Sequence, residues 1–363
     1  METAPAPTPA VGAGVHPRAR RRRTAVVFLG LALLLVAAAI VAAMVGQVPV
    51  PPTEVIGSIL RAGGIPNGWA PSDQITEATL WVVRFPRLLM AVVVGMALAV
   101  AGAVMQAVFG NPLAEPGVVG VSSGAALGAA IAIVLGVTVL GGWATAAFAF
   151  AGGFAAVLLV YLVSRSRGRT EVVTLILTGI AVNAFAGAGI AFLLFAADNA
   201  SREQIVFWQL GSLNGSLGSE VAVVAAIAVP GTVAALWLAP RYDLLALGER
   251  NARHLGVNVE ALRMVSIVLV ALLTGAAVAF AGIIAFVGLV VPHILRMGIG
   301  PRHRPLLAGS ALGGAALVVI ADLLARTLVW GADLPIGMLT SLIGGPFFFF
   351  LLIRQRRAAG GWG

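Results

Sequence analysis

Apolar residues arrive in long runs separated by short polar or Pro/Gly-rich stretches, a pattern that predicts helices crossing a membrane. A helix needs about 20 apolar residues to traverse the hydrocarbon layer. By that measure the chain offers ten spans, near 25–45, 87–108, 114–136, 143–164, 171–197, 220–239, 262–281, 283–298, 305–325 and 337–353. Those at 114–136 and 283–298 are interrupted by Gly and Pro, which predicts broken helices there. The expected fold class is all-α, a polytopic membrane protein with about ten transmembrane helices. The first run, Ala25 to Val45, leads into Gly46-Gln47-Val48-Pro49 without a small-x-small cleavage site. It reads as an uncleaved first helix rather than a signal peptide.

Arginine placement sets the orientation. With the N-terminus inside, 18 of the 23 basic residues fall in inner segments. They are Arg18, Arg20, Arg21, Arg22, Arg23, Arg165, Arg167, Arg169, Arg241, Arg250, Arg253, Arg263, Arg296, Arg302, Arg304, Arg354, Arg356 and Arg357. Arg61, Arg84, Arg87, Arg202 and Arg326 fall outside. Cytoplasmic loops carry such a basic excess, so the bias predicts an even number of spans with both termini cytoplasmic. The organisation expected is a cytoplasmic tail over 1–24, a membrane domain over 25–353 and a cytoplasmic tail over 354–363. A repeat points the same way. Gly95 to Gly102 and Gly275 to Gly282 share G-x-A-x-A-x-A-G and lie five spans apart, so they cross in opposite directions. Inverted repeats of this kind are common in transporters, with the pathway at the repeat interface.

Composition removes several function classes. Apolar residues make up 60% of the 363 positions and charged ones 10%, with a mean hydropathy of +1.02. That is too little charge for a soluble domain of this length. Cysteine is absent, which excludes disulfides, thiolate metal sites and cysteine nucleophiles. Lysine is absent too, and a P-loop needs a lysine to reach nucleotide phosphates. Any ATP that drives this chain is therefore hydrolysed by another subunit. The net charge of +9 is accounted for by short inner loops and does not require nucleic acid. No paired carboxylates, metal-ligand spacing or nucleophile–base constellation occurs, so neither catalysis nor a cofactor is expected.

Several segments carry candidate function. Asn111-Pro112-Leu113-Ala114-Glu115-Pro116-Gly117 is a short inner turn, followed by a glycine-rich entry from Gly117 to Gly124. That entry could line a cavity, or its glycines could serve tight helix packing. The inner connection from Arg241 to Arg263 holds Leu244, Leu247, Asn251 and Leu255 on one stripe, with Gly248 and Gly256 as breaks, which predicts a short amphipathic surface helix. It would dock on a soluble partner or lie in the lipid interface. Arg84, Arg87 and Arg326 stand against the charge bias at the outer side, where they would pair with carboxylates of an acidic partner or snorkel. Gln106, Asn183, His293 and Asp322 are further polar residues in or near spans, and Asp322 is spaced for an i,i+4 pair with Arg326.

These stretches carry a resemblance. RFPR (84–87), GMALAVAGAVMQAVFGNPLAEPGVVGVSSGAALG (95–128), LTGIAVN (177–183), FWQLGSLNGS (207–216), LLALGERNARHLGV (244–257), AGIIAFVGLVVPHILR (281–296), ADLLAR (321–326) and LPIGMLTSLIGGPFFFFLL (334–352) occur in order. Together they resemble the permease family of bacterial ABC importers for iron–siderophore complexes, haem and vitamin B12. The resemblance implies ten spans per subunit in the inner membrane, paired as a homodimer or with a related subunit. It also implies two copies of a cytoplasmic ATPase and a substrate-binding protein outside. Arg84, Arg87 and Arg326 match the positions that receive acidic residues of the binding protein. Asn111 and Leu113 match a turn of the cytoplasmic gate, and Glu249, Ala252 and Gly256 match the segment that meets the ATPase. The chain departs from some relatives at Thr170-Glu171-Val172-Val173, where they carry small hydroxyl residues, so no gate residue is assigned there. The implied cargo is a ferric siderophore or haem, with cobalamin as the alternative.

Overall fold

A computed structural model describes residues 17–46, 48–166, 169–329 and 331–358. The N-terminal tail through residue 16, Arg167 and the C-terminal residues past 358 lie outside the described residues. Among the described residues, seven helical stretches are long and apolar enough to cross a membrane. They are α1 (Pro17–Met44), α4 (Phe85–Phe109) with its lead-in, α6 (Ala144–Val163), α7 (Val172–Ala196), α9 (Gly218–Leu245), α11 (Val259–Ala281) and α13 (His303–Ala325). Three further apolar elements are shorter: α5 (Val121–Val134), α12 (Val287–Ile299) and the apolar part of α14 (Ile336–Ala358). These ten elements fall at the ten expected positions. The two spans expected to be broken are the shortest, with 14 residues in α5 and 13 in α12.

Both short helices begin at a residue in the left-handed region. Gly120 precedes α5 with φ +84°, after a 3-10 turn at Pro116–Val119. Phe286 precedes α12 with φ +68°, the one non-glycine residue with positive φ among those described. A side chain in that conformation costs about 1–2 kcal/mol, so its surroundings must hold it there.

α4 is the axis of the molecule: 78% of its spanning window is buried, against 11% for α1 and 17% for α7. Glycines permit the close packing. A Cβ on Gly95 would overlap the backbone of Gly314 on α13, and one on Gly102 would overlap that of Gly288 on α12. The neighbours of α4 and α11 mirror each other. α4 packs on α12 and α13, while α11 packs on α5 and α6; α7 lies against α5 and α6 as α14 lies against α12 and α13. This reciprocity is what the repeated G-x-A-x-A-x-A-G segments on α4 and α11 predict.

The connections hold structure that the apolar pattern did not show. On the face opposite most arginines lie α2 (Pro52–Ala62), which starts on a proline, and α3 (Gln74–Ala78), capped by Asp73. α3 runs through a π turn at Thr79–Arg84 into α4. α8 (Asn199–Leu210) lies on the same face, where the Ser201 N–H bonds Asp198 at 2.7 Å and holds that carboxylate below its usual range. On the arginine-rich face, a two-residue antiparallel pairing of Arg165 with Thr170 and Ser166 with Arg169 turns α6 into α7.

The amphipathic helix expected over 244–256 is corrected by the structure. Leu244 belongs to the last turn of α9, which runs to Leu245, and a separate α10 spans only Glu249–His254. Gly248, at φ +98°, makes the break. Leu247 and Leu255 are 59% and 57% exposed, and Ala252 is the buried residue of α10.

Candidate functional site

On the face opposite most arginines, three arginines far apart in sequence converge. Arg84 and Arg87 flank the start of α4, Arg326 follows α13, and all three line one pocket of about 440 Å³ together with Asn214 and Asp333. The helix α1 explains two of them. It carries no basic residue in its last turn, and the last four carbonyls of a helix have no partner within it. Arg84 Nη1 donates to the carbonyls of Ala43 (2.5 Å) and Met44 (3.0 Å), and its Nη2 donates to that of Val48. Arg326 donates to Ala42 (2.6 Å) and Val45 (3.0 Å). Cations at a helix C-terminus also meet the negative end of its dipole.

Arg87 is paired differently. Its Nε lies 2.8 Å from Asp322 Oδ1 and its Nη1 2.9 Å from Asp333 Oδ2. The expected Asp322–Arg326 pair is present at 3.6 Å, but the shorter bond of Asp322 is to Arg87. The cluster thus holds three guanidinium groups against the two carboxylates of Asp322 and Asp333, and the pocket retains a positive excess.

Across the molecule, the turn after α4 is held from several sides. Asn111 closes it locally, accepting the Leu113 N–H at 2.9 Å through Oδ1 and that of Ala114 at 3.1 Å through its carbonyl. Leu113 is half-buried, and Asn111 is exposed. Glu115 Oε1 accepts the N–H of Phe286 at 3.1 Å. One carboxylate thereby joins the entry of α5 to the left-handed start of α12. Asn183 of α7 donates to the Gly117 carbonyl at 3.3 Å and bonds Ser123 Oγ at 2.5 Å. His293 of α12 reaches the backbone of Pro112. The glycine-rich entry serves packing in part, since a Cβ on Gly124 would meet Gly152 of α6 at 2.5 Å.

The third group surrounds α10. Glu249 pairs with Arg263 of α11 and, at 3.5 Å, with Arg253. Arg263 is 5% exposed and donates from Nη1 to the Thr170 carbonyl at 3.2 Å. Glu260 accepts the Thr170 N–H at 2.9 Å. Gly256 ends α10 at φ +85°: its N–H bonds the Arg253 carbonyl, and Val257 N–H bonds that of Ala252, both at 3.0 Å. That is a Schellman closure, which favours glycine. α10 is thereby tied through Arg263 to the turn that starts α7, the helix whose Asn183 holds the Gly117 turn.

Sequence reasoning put Arg84, Arg87 and Arg326 on the outer side at separate span ends, and the structure brings them into one pocket; it gave no role to Asp333, Glu115, Glu260 or Arg263. Asp333 and Glu115 bond to residues far along the chain, and although Glu260 and Arg263 face each other at 3.6 Å, the Thr170 backbone that both hold is distant in sequence. Asn183 and His293 stood out only as polar residues in apolar spans.

A bundle built on an inverted repeat, with two broken helices at its centre and polar clusters at both faces, defines a membrane transport subunit. The chain belongs to the FecCD transport family, whose model matches residues 33–354. It is 44% identical over 283 residues to the hemin transport system permease protein HmuU of Yersinia pestis, covering 77% of this chain and 84% of the relative. It is 41% identical over 276 residues to the cobalamin import system permease protein BtuC of Halobacterium salinarum, covering 76% of this chain and 73% of the relative. A solved inward-facing structure assigned to a metal-chelate type ABC transporter superposes with a TM-score of 0.79 at 32% identity, covering 91% of this chain and 99% of that one. The permease role of the family is transport rather than catalysis, and the chain is a multi-pass membrane protein.

Proposed function

We propose that this chain is the membrane permease of a binding-protein-dependent ABC importer and carries an iron chelate, a ferric siderophore or haem, across the cytoplasmic membrane. The observation that carries the proposal is the pairing of an arginine-lined pocket on one face with a bonded path on the other. That path runs from α10 through Arg263 and Thr170 to α7, and from Asn183 to the Gly117 turn. With the arginine-rich face cytoplasmic, as the charge bias favours, α10 meets the ATPase. The exposed Leu247 and Leu255 beside it are apolar anchors for that contact.

Glu249, Ala252 and Gly256 then form the ATPase-coupling segment, and Asn111 and Leu113 belong to the cytoplasmic gate. Arg84, Arg87 and Arg326 receive acidic residues of an extracytoplasmic binding protein, supported by the positive excess of their pocket. Since the chain has no lysine for a P-loop, two copies of a separate ATPase supply the energy. Movement of α10 biases the inward- and outward-open states through their different contacts. The sparsely buried α7, with exposed Phe185, Phe192 and Phe195, is the face that a second permease copy would cover.

Cobalamin is the second reading, favoured by the identity to a cobalamin permease. The deciding experiment measures uptake of labelled haem, ferric siderophores and cobalamin in a strain lacking the gene. Loss of an iron chelate, restored by the wild-type gene but not by Arg84→Glu/Arg87→Glu, supports the proposal. Loss of cobalamin alone would transfer the cargo to the second reading, and unchanged uptake of all three would reject both.

A further inference from the structure

The arginine-rich face holds a cavity whose lining includes neither the α10 cluster nor the turn after α4. A cavity of about 850 Å³ opens between the start of α1, the end of α9 and the turn from α12 into α13. Arg21, Arg302 and Arg304 line it, with Phe28, Pro240 and Pro305 among its apolar walls. All three arginines are exposed, and none of their guanidinium groups makes an ion pair or hydrogen bond among the described residues. The acid lining the cavity, Asp243, is already engaged: its Oδ1 takes the backbone N–H of His303 at 2.9 Å and lies 2.8 Å from His303 Nδ1. The space therefore presents three guanidinium groups without an ion-pair partner against the one carboxylate of Asp243, a positive excess above an apolar floor.

Depth is marked by a neighbour. Trp237, one turn before Pro240 on α9, is 70% exposed, and the Arg241 guanidinium sits 4.5 Å above its ring. Tryptophan ringed by basic residues is characteristic of the headgroup layer at a membrane surface. At that depth the group with the right chemistry is a phosphodiester with acyl chains below it. Guanidinium forks match phosphate oxygens bidentately, and basic pockets between spans on the cytoplasmic side take anionic headgroups.

We propose that the cavity between α1, α9 and the α12–α13 turn binds the headgroup of an anionic phospholipid through Arg21, Arg302 and Arg304. The bound lipid clamps the weakly buried α1 to the body of the subunit. The site rests on the orientation proposed above only for naming the leaflet; binding in detergent micelles needs neither orientation nor transport, so the two proposals fail separately.

Native mass spectrometry of the purified full-length chain, with added palmitoyl-oleoyl phosphatidylglycerol or the matching phosphatidylcholine, tests it. The wild type is expected to retain phosphatidylglycerol with on the order of tenfold preference. Arg21→Gln/Arg302→Gln/Arg304→Gln should reduce that preference to within about twofold, while the Arg→Lys triple should keep most of it. Millimolar inorganic phosphate should leave the lipid bound. Equal retention of the two lipids by the wild type, an unchanged preference in the glutamine variant, or displacement by phosphate alone would overturn the proposal.

Discussion

Neutralising Asp322 and Arg87 singly and together tests whether the arginine cluster is part of the fold. Asp322 is 3% exposed and Arg87 7%, and their atoms approach to 2.8 Å. Removing one partner of a buried pair strands the other charge, which costs about 3–5 kcal/mol. Two features lower that figure here. Arg87 keeps Asp333 at 2.9 Å, and the Asp333 side chain is 34% exposed. The adjoining pocket of about 440 Å³ is also polar and roomy enough for water. Asp322→Asn is therefore expected to cost about 2–3 kcal/mol, and Arg87→Met, which leaves Asp322 only Arg326 at 3.6 Å, a similar amount. The double variant strands neither charge and should lose no more than the worse single, a coupling of about 2 kcal/mol. Unfolding in mixed detergent–SDS micelles, followed by tryptophan fluorescence, measures all four proteins. If the double variant loses the sum of the singles to within about 0.5 kcal/mol, the pair is not coupled and the reasoning fails. The same double variant separates folding from docking: it should stay folded yet bind an acidic partner more weakly.

Glu115→Ala removes the acceptor of the Phe286 N–H and should destabilise by about 1–3 kcal/mol. Glu115→Gln, which keeps an acceptor oxygen, should recover most of it, and amide exchange at Phe286 reports the bond directly. Gly102→Val drives a side chain into the Gly288 backbone and should abolish a monodisperse gel-filtration peak. By contrast Gly30→Ala, on a face of α1 with nothing within 4 Å, should leave the peak unchanged. Gly256→Val forces a branched side chain into φ +85° at about 1–2 kcal/mol; with α10 misclosed, transport-coupled ATP hydrolysis should fall severalfold while the transmembrane body stays folded.

Much of this protein is legible in the order of its residues. Span number, the broken character of α5 and α12 and the charge asymmetry between faces all follow from run length, Gly/Pro placement and arginine position. These are local properties, set by the need of each backbone group to find its partner within its own helix when water is absent. The G-x-A-x-A-x-A-G repeat likewise foretold mirrored packing, because small residues mark where backbones touch. Tertiary structure alone decided the pairings. Nothing near Arg84 in sequence shows that it caps α1. Asp322 was matched to Arg326 by helical spacing, yet its closest partner is Arg87, brought there by the packing of α4 on α13. Glu115 gains its meaning only when α12 begins beside it. The stripe over 244–256 divides at Gly248, one of the two glycines that mark breaks in it, but its positive φ, and the joining of Leu244 to α9, show only in the structure. Periodicity reads interactions within three or four residues, whereas the two faces of this subunit are built from contacts between residues that lie on different helices, far apart along the chain.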